Sequence, residues 1–338
     1  MRLGIVGWCT DAGLGREFRD ALKSLPVECA FVLPNVCKPT RHELLEGVPH
    51  MHASKGMPVS EMVEFIDKFK PDTLLMWELP GSWQYPGIWR ARGVKWACVI
   101  HWDWFTMNSN CWDSADLLIS PTMECHRQMA AHGYKTKFLP VPVDTEEFAF
   151  RMRHRARRFL SVGGFGGAGD RRGLKELFHA WKFLGSDAPV LEVTAQQALR
   201  EMRLSVPRNV EIRVTNISMP AALYSTADVC IQTSRYEGIG LPLMEAQACG
   251  LPVITTDAEP MRTLAPDLLV DVKYTEEIDL FCKKMKSSVC RWESIVERVH
   301  EVMGTDISDL SCQARERMTA EFSWGALGAE WYDALNSL

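Results

Sequence analysis

The feature that most limits what this chain can fold into is an alternation. Short runs rich in aliphatic and β-branched residues give way, nearly from end to end, to segments with apolar residues at helical spacing. "RLGIVG" reads as a first strand, and "GLGREFRDALKSL" follows it with Leu14, Phe18, Leu22 and Leu25 on one helical stripe. "SEMVEFIDKFK" is a helix feeding the strand "PDTLLMW", "VKWACVI" is a strand that ends at His101, and "ADLLISP" and "KTKFLPVPVD" bracket one more helix. A second series opens at "FLSVGGFGGAGDRRGLKELFHAW" and runs through "APVLEVTA", "NVEIRV", "ADVCIQTS" and "LPVITTD". Adjacent parallel strands need a crossover between them, usually helical, so this rhythm predicts α/β architecture with parallel sheets.

Between the two series lies "VPVDTEEFAFRMRHRARR", whose prolines, acids and five arginines within 151–158 mark a connection. The chain therefore reads as two Rossmann-like doubly wound domains facing each other across a cleft, residues 1–150 and 151–320. Residues 321–338 form a helical tail with Trp324 and Trp331 on one apolar face, expected to pack back towards the N-terminal domain. At 338 residues the chain is long enough for two cores.

A net charge of −5 argues against nucleic acid or an anionic membrane as an obligatory partner over the whole surface. The arginine run Arg151 to Arg158 leaves open a weak local contact with either. The N-terminus lacks the pattern of a secretory signal and no run approaches about 18 consecutive apolar residues, so a soluble, cytoplasmic protein without a transmembrane segment is expected. Eleven cysteines are scattered without a C-x-x-C pair, and Cys98 and Cys230 sit inside apolar strand-like runs, which predicts buried thiols. Cys125 and His126 with His132 form a local cluster on a helical pattern but lack further ligands, so no metal is expected.

The chemistry concentrates in "YEGIGLPLMEAQACGLPVITTD", residues 236–257. The apolar strand "VCIQT" passes through a glycine-broken loop into a helix with Pro242 at its first position and Gly250 as its stop. In a doubly wound sheet such a junction lies at the carboxyl edge, where ligands bind. The helix start offers unsatisfied N–H groups to an anion, and Gly238 and Gly240 let it approach the backbone closely. Glu237 in the loop and Glu245 one turn into the helix repel a phosphate but suit vicinal hydroxyls, one on a sugar and one on a ribose. Ribose, diphosphate and sugar together describe a nucleotide-sugar donor.

At these residues the chain resembles the retaining glycosyltransferases of the GT-B fold, specifically glycosyltransferase family 4 (glycosyl transferases group 1). The 236–257 stretch is similar to that family's E-x7-E segment. "FLSVGG...RRGLKELFHAW", "VPVDTEEF", "LYSTADVCIQTS" and "AEFSWGALGAEWY" resemble other landmarks in the same order, so the likeness covers nearly the whole chain. It implies that Glu245 holds ribose hydroxyls and Glu237 those of the transferred sugar. Gly238, Ile239, Gly240 and Leu241 would line the donor, with backbone N–H groups from the last two. His101 would stand against the donor sugar near the reacting centre, making His101 and Glu237 the catalytic candidates. Gly13 and Leu14 would belong to a loop over the diphosphate, and Arg171 and Arg172 would neutralise the phosphates. One departure stands out: where family members commonly carry arginine after "VG", this chain has Gly164.

The resemblance further implies a UDP- or GDP-type donor, an acceptor hydroxyl on a glycan, lipid or other molecule, and retention at the anomeric carbon. No D-x-D motif is visible, so no cofactor or metal is expected. Each of these residues also has a plainer reading, as a solvated charge, a turn glycine or a packed histidine. The aromatic set at 83–105 suggests sugar stacking by Trp102 and Trp104 around Asp103, although tryptophan also fills cores. Three other functions remain open. Gly164 suggests a non-catalytic nucleotide- or glycan-binding protein, the arginine run a glycosyltransferase acting on modified bases in DNA. "GFGGAG" at 164–169 fits a dinucleotide-binding oxidoreductase, with Glu192 as a rough match to its ribose-binding acid.

Overall fold

The computed structural model describes residues 1–10, 13–35, 40–78, 84–105, 112–164, 170–195, 205–214, 221–280 and 283–338. The chain divides into two compact units at Pro142/Val143. The first takes in Met1–Pro142 with Lys283 and Trp324–Leu338, the second Val143–Leu280 with Lys284–Ser323.

In the first unit, strands β1 (Leu3–Gly7), β2 (Val27–Val32), β3 (His50–His52), β4 (Thr73–Trp77), β5 (Lys95–Val99), β6 (Leu117–Ser120) and β7 (Lys137–Phe138) form one sheet in the order β3-β2-β1-β4-β5-β6-β7. Every pairing is parallel, with Ile5 set between Ala30 and Leu75. Helices α1 (Leu14–Ser24), α2 (Val59–Phe69), α3 (Tyr85–Ala91) and α4 (Met123–Ala131) lie between the strands in sequence. Strands β1 and β4 are buried along their whole length, which is why they read as unbroken apolar runs. Phe18, Phe31, Phe65, Tyr85, Trp89 and Trp96 fill this core.

The second unit repeats the plan. Strands β8 (Arg158–Gly164), β9 (Val190–Ala195), β10 (Val210–Val214), β11 (Val229–Gln232), β12 (Val253–Thr256) and β13 (Leu268–Val270) run in the order β10-β9-β8-β11-β12-β13, again all parallel. Helices α5 (Leu174–Leu184), α6 (Ala221–Tyr224), α7 (Leu241–Ala248), α8 (Met261–Leu264), α9 (Trp292–Val302) and α10 (Ser308–Glu321) accompany it. Phe159, Trp181, Leu191, Ile231, Ile254 and Ile295 share its core. Helix α11 (Trp324–Asn336) belongs to the first unit, where the Trp331 indole donates to the Pro140 carbonyl at 2.8 Å.

The expected two-sheet α/β plan is present. The sequence reading did not foresee a separate two-stranded sheet, in which β14 (Val272–Leu280) and β15 (Lys283–Cys290) pair. Most of β14 is exposed and β15 opens on lysines that alternate in burial, so neither has the continuous aliphatic run that marks the other strands. Among the described residues, no helix is long and apolar enough to cross a membrane.

Candidate functional site

In the second sheet β9 and β10 extend from one side of β8 and β11 to β13 from the other. The chain leaves β8 and β11 in opposite directions, and the carboxyl ends of that pair bound the crevice where doubly wound sheets take ligands. The two strands pair at only Val229 with Phe159 and Cys230 with Leu160. Beyond that a side chain bridges them. Gln232 Oε1 accepts from the Val162 amide and Gln232 Nε2 donates to the Val162 carbonyl, both at 3.0 Å, so the strands part without stranding a buried backbone group.

Two loops meet at this split. The one following β8 returns at Asp170–Gly173, where Gly173 adopts φ +62° and a Cβ would stand 2.1 Å from the Thr233 carbonyl oxygen. Only glycine permits that approach. Thr233 Oγ1 in turn donates to the carbonyls of Arg172 and Gly173 at 3.1 and 3.2 Å. This contact brings Arg171 and Arg172 to Glu237. Arg172 Nη1 pairs with Glu237 Oε1, which also accepts from Ser234 Oγ at 2.7 Å, and Arg171 Nη2 donates to Oε2 at 3.0 Å. Glu237 and Arg172 are both buried, and Arg171 lies over the Tyr236 ring at 5.0 Å. The sequence reading gave Glu237 and the arginines separate tasks; the structure places both carboxylate oxygens of Glu237 against them. With two guanidinium groups to one carboxylate, the trio carries a net positive charge.

Sequence reasoning passed over the next layer. Arg235 pairs with Asp170 at 2.6 Å and Glu176 at 3.3 Å, tying the loop after β11 to the start of α5. Burial lifts the Asp170 carboxyl above its usual range, although Arg235 pulls the other way.

Helix α7 begins at Leu241, one residue before Pro242, with Gly240 as its cap at φ +86°. Proline lacks an N–H, so the amides at this end come from the residues before it. Those of Gly238, Ile239, Gly240 and Leu241 have no acceptor among the described residues. Glu245, one turn on, is buried and accepts from the Tyr224 hydroxyl at 2.5 Å. Tyr224 was not foreseen, since nothing local links α6 to α7.

In the first unit the equivalent carboxyl edge carries His101, just beyond β5. The ring is buried between two carboxylates. Its Nε2 is 3.3 Å from Glu17 Oε2, and its Nδ1 is 2.9 Å from Glu78 Oε1, close enough to pair by charge but not aligned for a hydrogen bond. Burial opposes charge on the ring, but Glu17 and Glu78 outweigh it and hold the imidazole well above its ordinary range. Burial also raises the Glu78 carboxyl, against the pull of His101. A histidine held this way is a cation, not a ready base. Neither carboxylate was singled out from sequence, although Glu78 directly follows a buried strand.

Gly13 caps α1 at φ +49°, with open space where a Cβ would stand, and Leu14 begins the helix. Asp103 is buried, and Trp102 is buried against Phe105, His132 and the Lys283 ammonium. Trp104 is 55% exposed. Tyr85 and Trp89 of the same aromatic set are core, and Trp83 lies outside the described residues.

The arginine run is partly structural. Arg153 is turned inward to the carbonyls of Ala227 and Tyr224 at 2.9 and 3.0 Å, which withdraws it from any ligand surface, and burial brings its pKa down to about 10. Arg158 pairs with Glu211, and Arg155 and Arg157 are exposed. Glu192 faces Arg213 and Arg158. Residues 165–169 of "GFGGAG" lie outside the described residues. Cys125, His126 and His132 take separate local partners, Ile100, Thr136 and Gln128, and the eight described cysteines are free thiols.

Residues 156–281, which contain the whole Glu237 and Glu245 junction, match the family described as Glycosyl transferases group 1. A D-inositol 3-phosphate glycosyltransferase of Geodermatophilus obscurus is 28% identical over 45% of this chain, and the match spans 40% of that relative's length. Solved structures share the fold over the full chain. HepE of Anabaena, crystallised in complex with UDP, superposes with a TM-score of 0.71 at 14% identity, covering 100% of both chains. Sucrose-phosphate synthase of Thermosynechococcus elongatus does so at 0.67 and 17%, covering 100% of this chain and 99% of its own.

Proposed function

Because the chain is related to the glycosyl transferases group 1 through residues 156–281 and has the GT-B fold, we propose that it transfers a sugar from a nucleoside diphosphate sugar to an acceptor hydroxyl. The observation that carries this reading is the junction after β11, where two arginines close on buried Glu237 at the split between β8 and β11, just before the free amides that open α7 and one turn before buried Glu245. The amides of Gly240 and Leu241 with Arg171 and Arg172 suit a diphosphate, and Glu245 suits the ribose hydroxyls. UDP is the first nucleotide to try, since HepE is seen with it.

In this reading the dominant catalytic effect is stabilisation of the leaving group. Negative charge grows on the departing diphosphate as the glycosidic bond breaks, and preorganised N–H groups and guanidinium ions take it up without reorganising. Glu237 keeps the two arginines aimed and offers its oxygens to the sugar hydroxyls when phosphate draws the arginines away. Departure and attack on the same face, with the released phosphate accepting the acceptor proton, retains the anomeric configuration. No step in this scheme calls for a metal ion.

A thermal-shift panel of UDP, GDP, ADP and their sugars tests the donor, followed by NMR of the product anomer. Glu245→Ala is expected to lose donor binding and Glu237→Ala to lose turnover. Unchanged kinetics in both variants refute the assignment.

A further inference from the structure

The outer strand of the second sheet has no part in the proposed transfer. We infer that β10 is an interaction surface for a second copy of this chain, whose own β10 adds to it antiparallel across a two-fold axis at Ile212. Among the described residues β10 pairs only with β9. An open edge is a template for another strand, and proteins commonly blunt it by keeping the strand short. The other edge strands of the two parallel sheets, β3, β7 and β13, have three, two and three residues, whereas β10 has five. Its residues 211–214 are all exposed, Ile212 at 37% and Val214 at 50%.

The apolar positions make one face. Residues two apart in a strand point the same way, so Val210, Ile212 and Val214 share a side and Glu211 and Arg213 share the other. In β9 the apolar three lie beside Leu191, Val193 and Ala195, all buried, and Leu191, Val193 and Val210 belong to the core of the unit. Ile212 and Val214 therefore carry the core side of the sheet past its cover into solvent, where a second β10 would continue it.

The strand is also complementary to itself. Its sequence is VEIRV, so antiparallel pairing centred on Ile212 sets Val210 opposite the partner's Val214 and Glu211 opposite the partner's Arg213. Backbone direction gives the same register. The Leu191 amide donates to the Asn209 carbonyl at 2.9 Å, and successive residues of a strand turn their N–H and C=O groups to alternate sides. Glu211 and Arg213 thus address β9, while Ile212 and Val214 address the open edge. Ile212 would exchange two bonds with the partner's Ile212, and the Val214 amide would reach the partner's Val210 carbonyl. Glu211 and the partner's Arg213 then fall at a non-hydrogen-bonded position, where opposed side chains stand closest. Within one chain Glu211 meets Arg158 at 3.1 Å and Arg213 meets Glu192 at 2.5 Å, with the Glu211 and Arg213 side chains still 61% and 49% exposed. Pairing across the axis joins these contacts into one row of alternating charge, and the two-fold repeats it.

Sedimentation equilibrium of the full chain tests this. A monomer–dimer equilibrium is expected with a dissociation constant of about 100 µM or tighter, as a contact this short allows. Glu211→Arg and Arg213→Glu each set like charges opposite one another twice, and each should weaken the dimer by about tenfold or more. Mixed in equal amounts, the two variants oppose arginine to glutamate at every such position and should associate as the parent does, which a folding defect could not produce. Val214→Lys alters a half-exposed side chain that the fold itself does not need, and should weaken the dimer on its own. A chain that stays monomeric up to about 200 µM, a dimer indifferent to all three substitutions, or charge variants that fail to associate when mixed, overturns the interface.

Discussion

The pairing of Arg172 with Glu237 can be tested by a double-mutant cycle on stability alone. The two side chains are 9% and 3% exposed, so their charges are almost dry. Removing one member of a buried pair typically costs about 3–5 kcal/mol, because the other is left as an uncompensated charge. In Arg172→Met the carboxylate keeps Arg171 at 3.0 Å and the Ser234 hydroxyl at 2.7 Å, so the loss should fall to about 2–3 kcal/mol. Glu237→Leu leaves the buried Arg172 without its carboxylate and should reach the full about 3–5 kcal/mol. In the double variant no buried charge of the pair remains, and Arg171, at 16% exposure, can turn to water. Its loss should therefore be well below the sum of the singles, with a coupling of at least about 2 kcal/mol. For a unit of this size each kcal/mol moves the melting temperature by about 2–4 °C, so Arg172→Met should lower it by about 4–12 °C. Calorimetry is the appropriate assay, since two units need not melt in one step. Raising the salt should leave the coupling nearly unchanged, because a buried pair is poorly screened. Additive losses, with a coupling below about 0.5 kcal/mol, refute the buried pairing.

Other consequences are as direct. His101 has a raised pKa in the fold, so the native state binds more protons than the unfolded one above about pH 6.5, and its contribution to stability is full below that pH and lost as pH rises through the folded value. Denaturant unfolding across pH 6–9 should show a falling stability that His101→Gln flattens; equal slopes in both proteins would exclude the Glu17 and Glu78 clamp. Tyr224→Phe removes the hydroxyl that donates to buried Glu245 and should destabilise the second unit by about 1.5–3 kcal/mol, and an unchanged melting curve counts against that bond. Gly173→Ala places a methyl group 2.1 Å from the Thr233 carbonyl at φ +62°, and should cost at least about 2 kcal/mol by strain and displacement of the loop. A melting temperature within about 1 °C of the parent would show that the loop does not sit on β11 as described.

The sheets were legible in the sequence because their strands are buried on both faces and leave aliphatic runs that nothing else explains. The hairpin β14–β15 was not, because β14 is mostly exposed and charged and β15, though mostly buried, opens on lysines in place of an aliphatic run. Single site residues were legible for a similar local reason: glycines before Pro242 and two carboxylates eight positions apart lie on one continuous stretch. Their partners were not local. Arg171 and Arg172 are 66 and 65 positions from Glu237, and Glu17 is 84 from His101. The aromatic cluster misled in the other direction, since Trp102, Tyr85 and Trp89 have the composition of a sugar platform and the burial of a core.

The distant pairs follow from strand order. In both sheets the first strand of the unit lies beside the fourth, β1 beside β4 and β8 beside β11, so the loops after these two strands must meet whatever separates them in sequence. In the second unit that junction joins Arg171 and Arg172 to Glu237, and in the first it brings Glu17 and Glu78 to His101. Each time a carboxylate leaves the fourth strand and each time it faces a cation, although the cation comes from the first loop in one unit and from the fifth strand in the other. A charge at such a position is therefore best assigned to its partner across the split before it is assigned to a ligand. Its part in ligand binding then depends on whether the ligand can compete with that partner, as a diphosphate can for two arginines and a neutral sugar alone cannot.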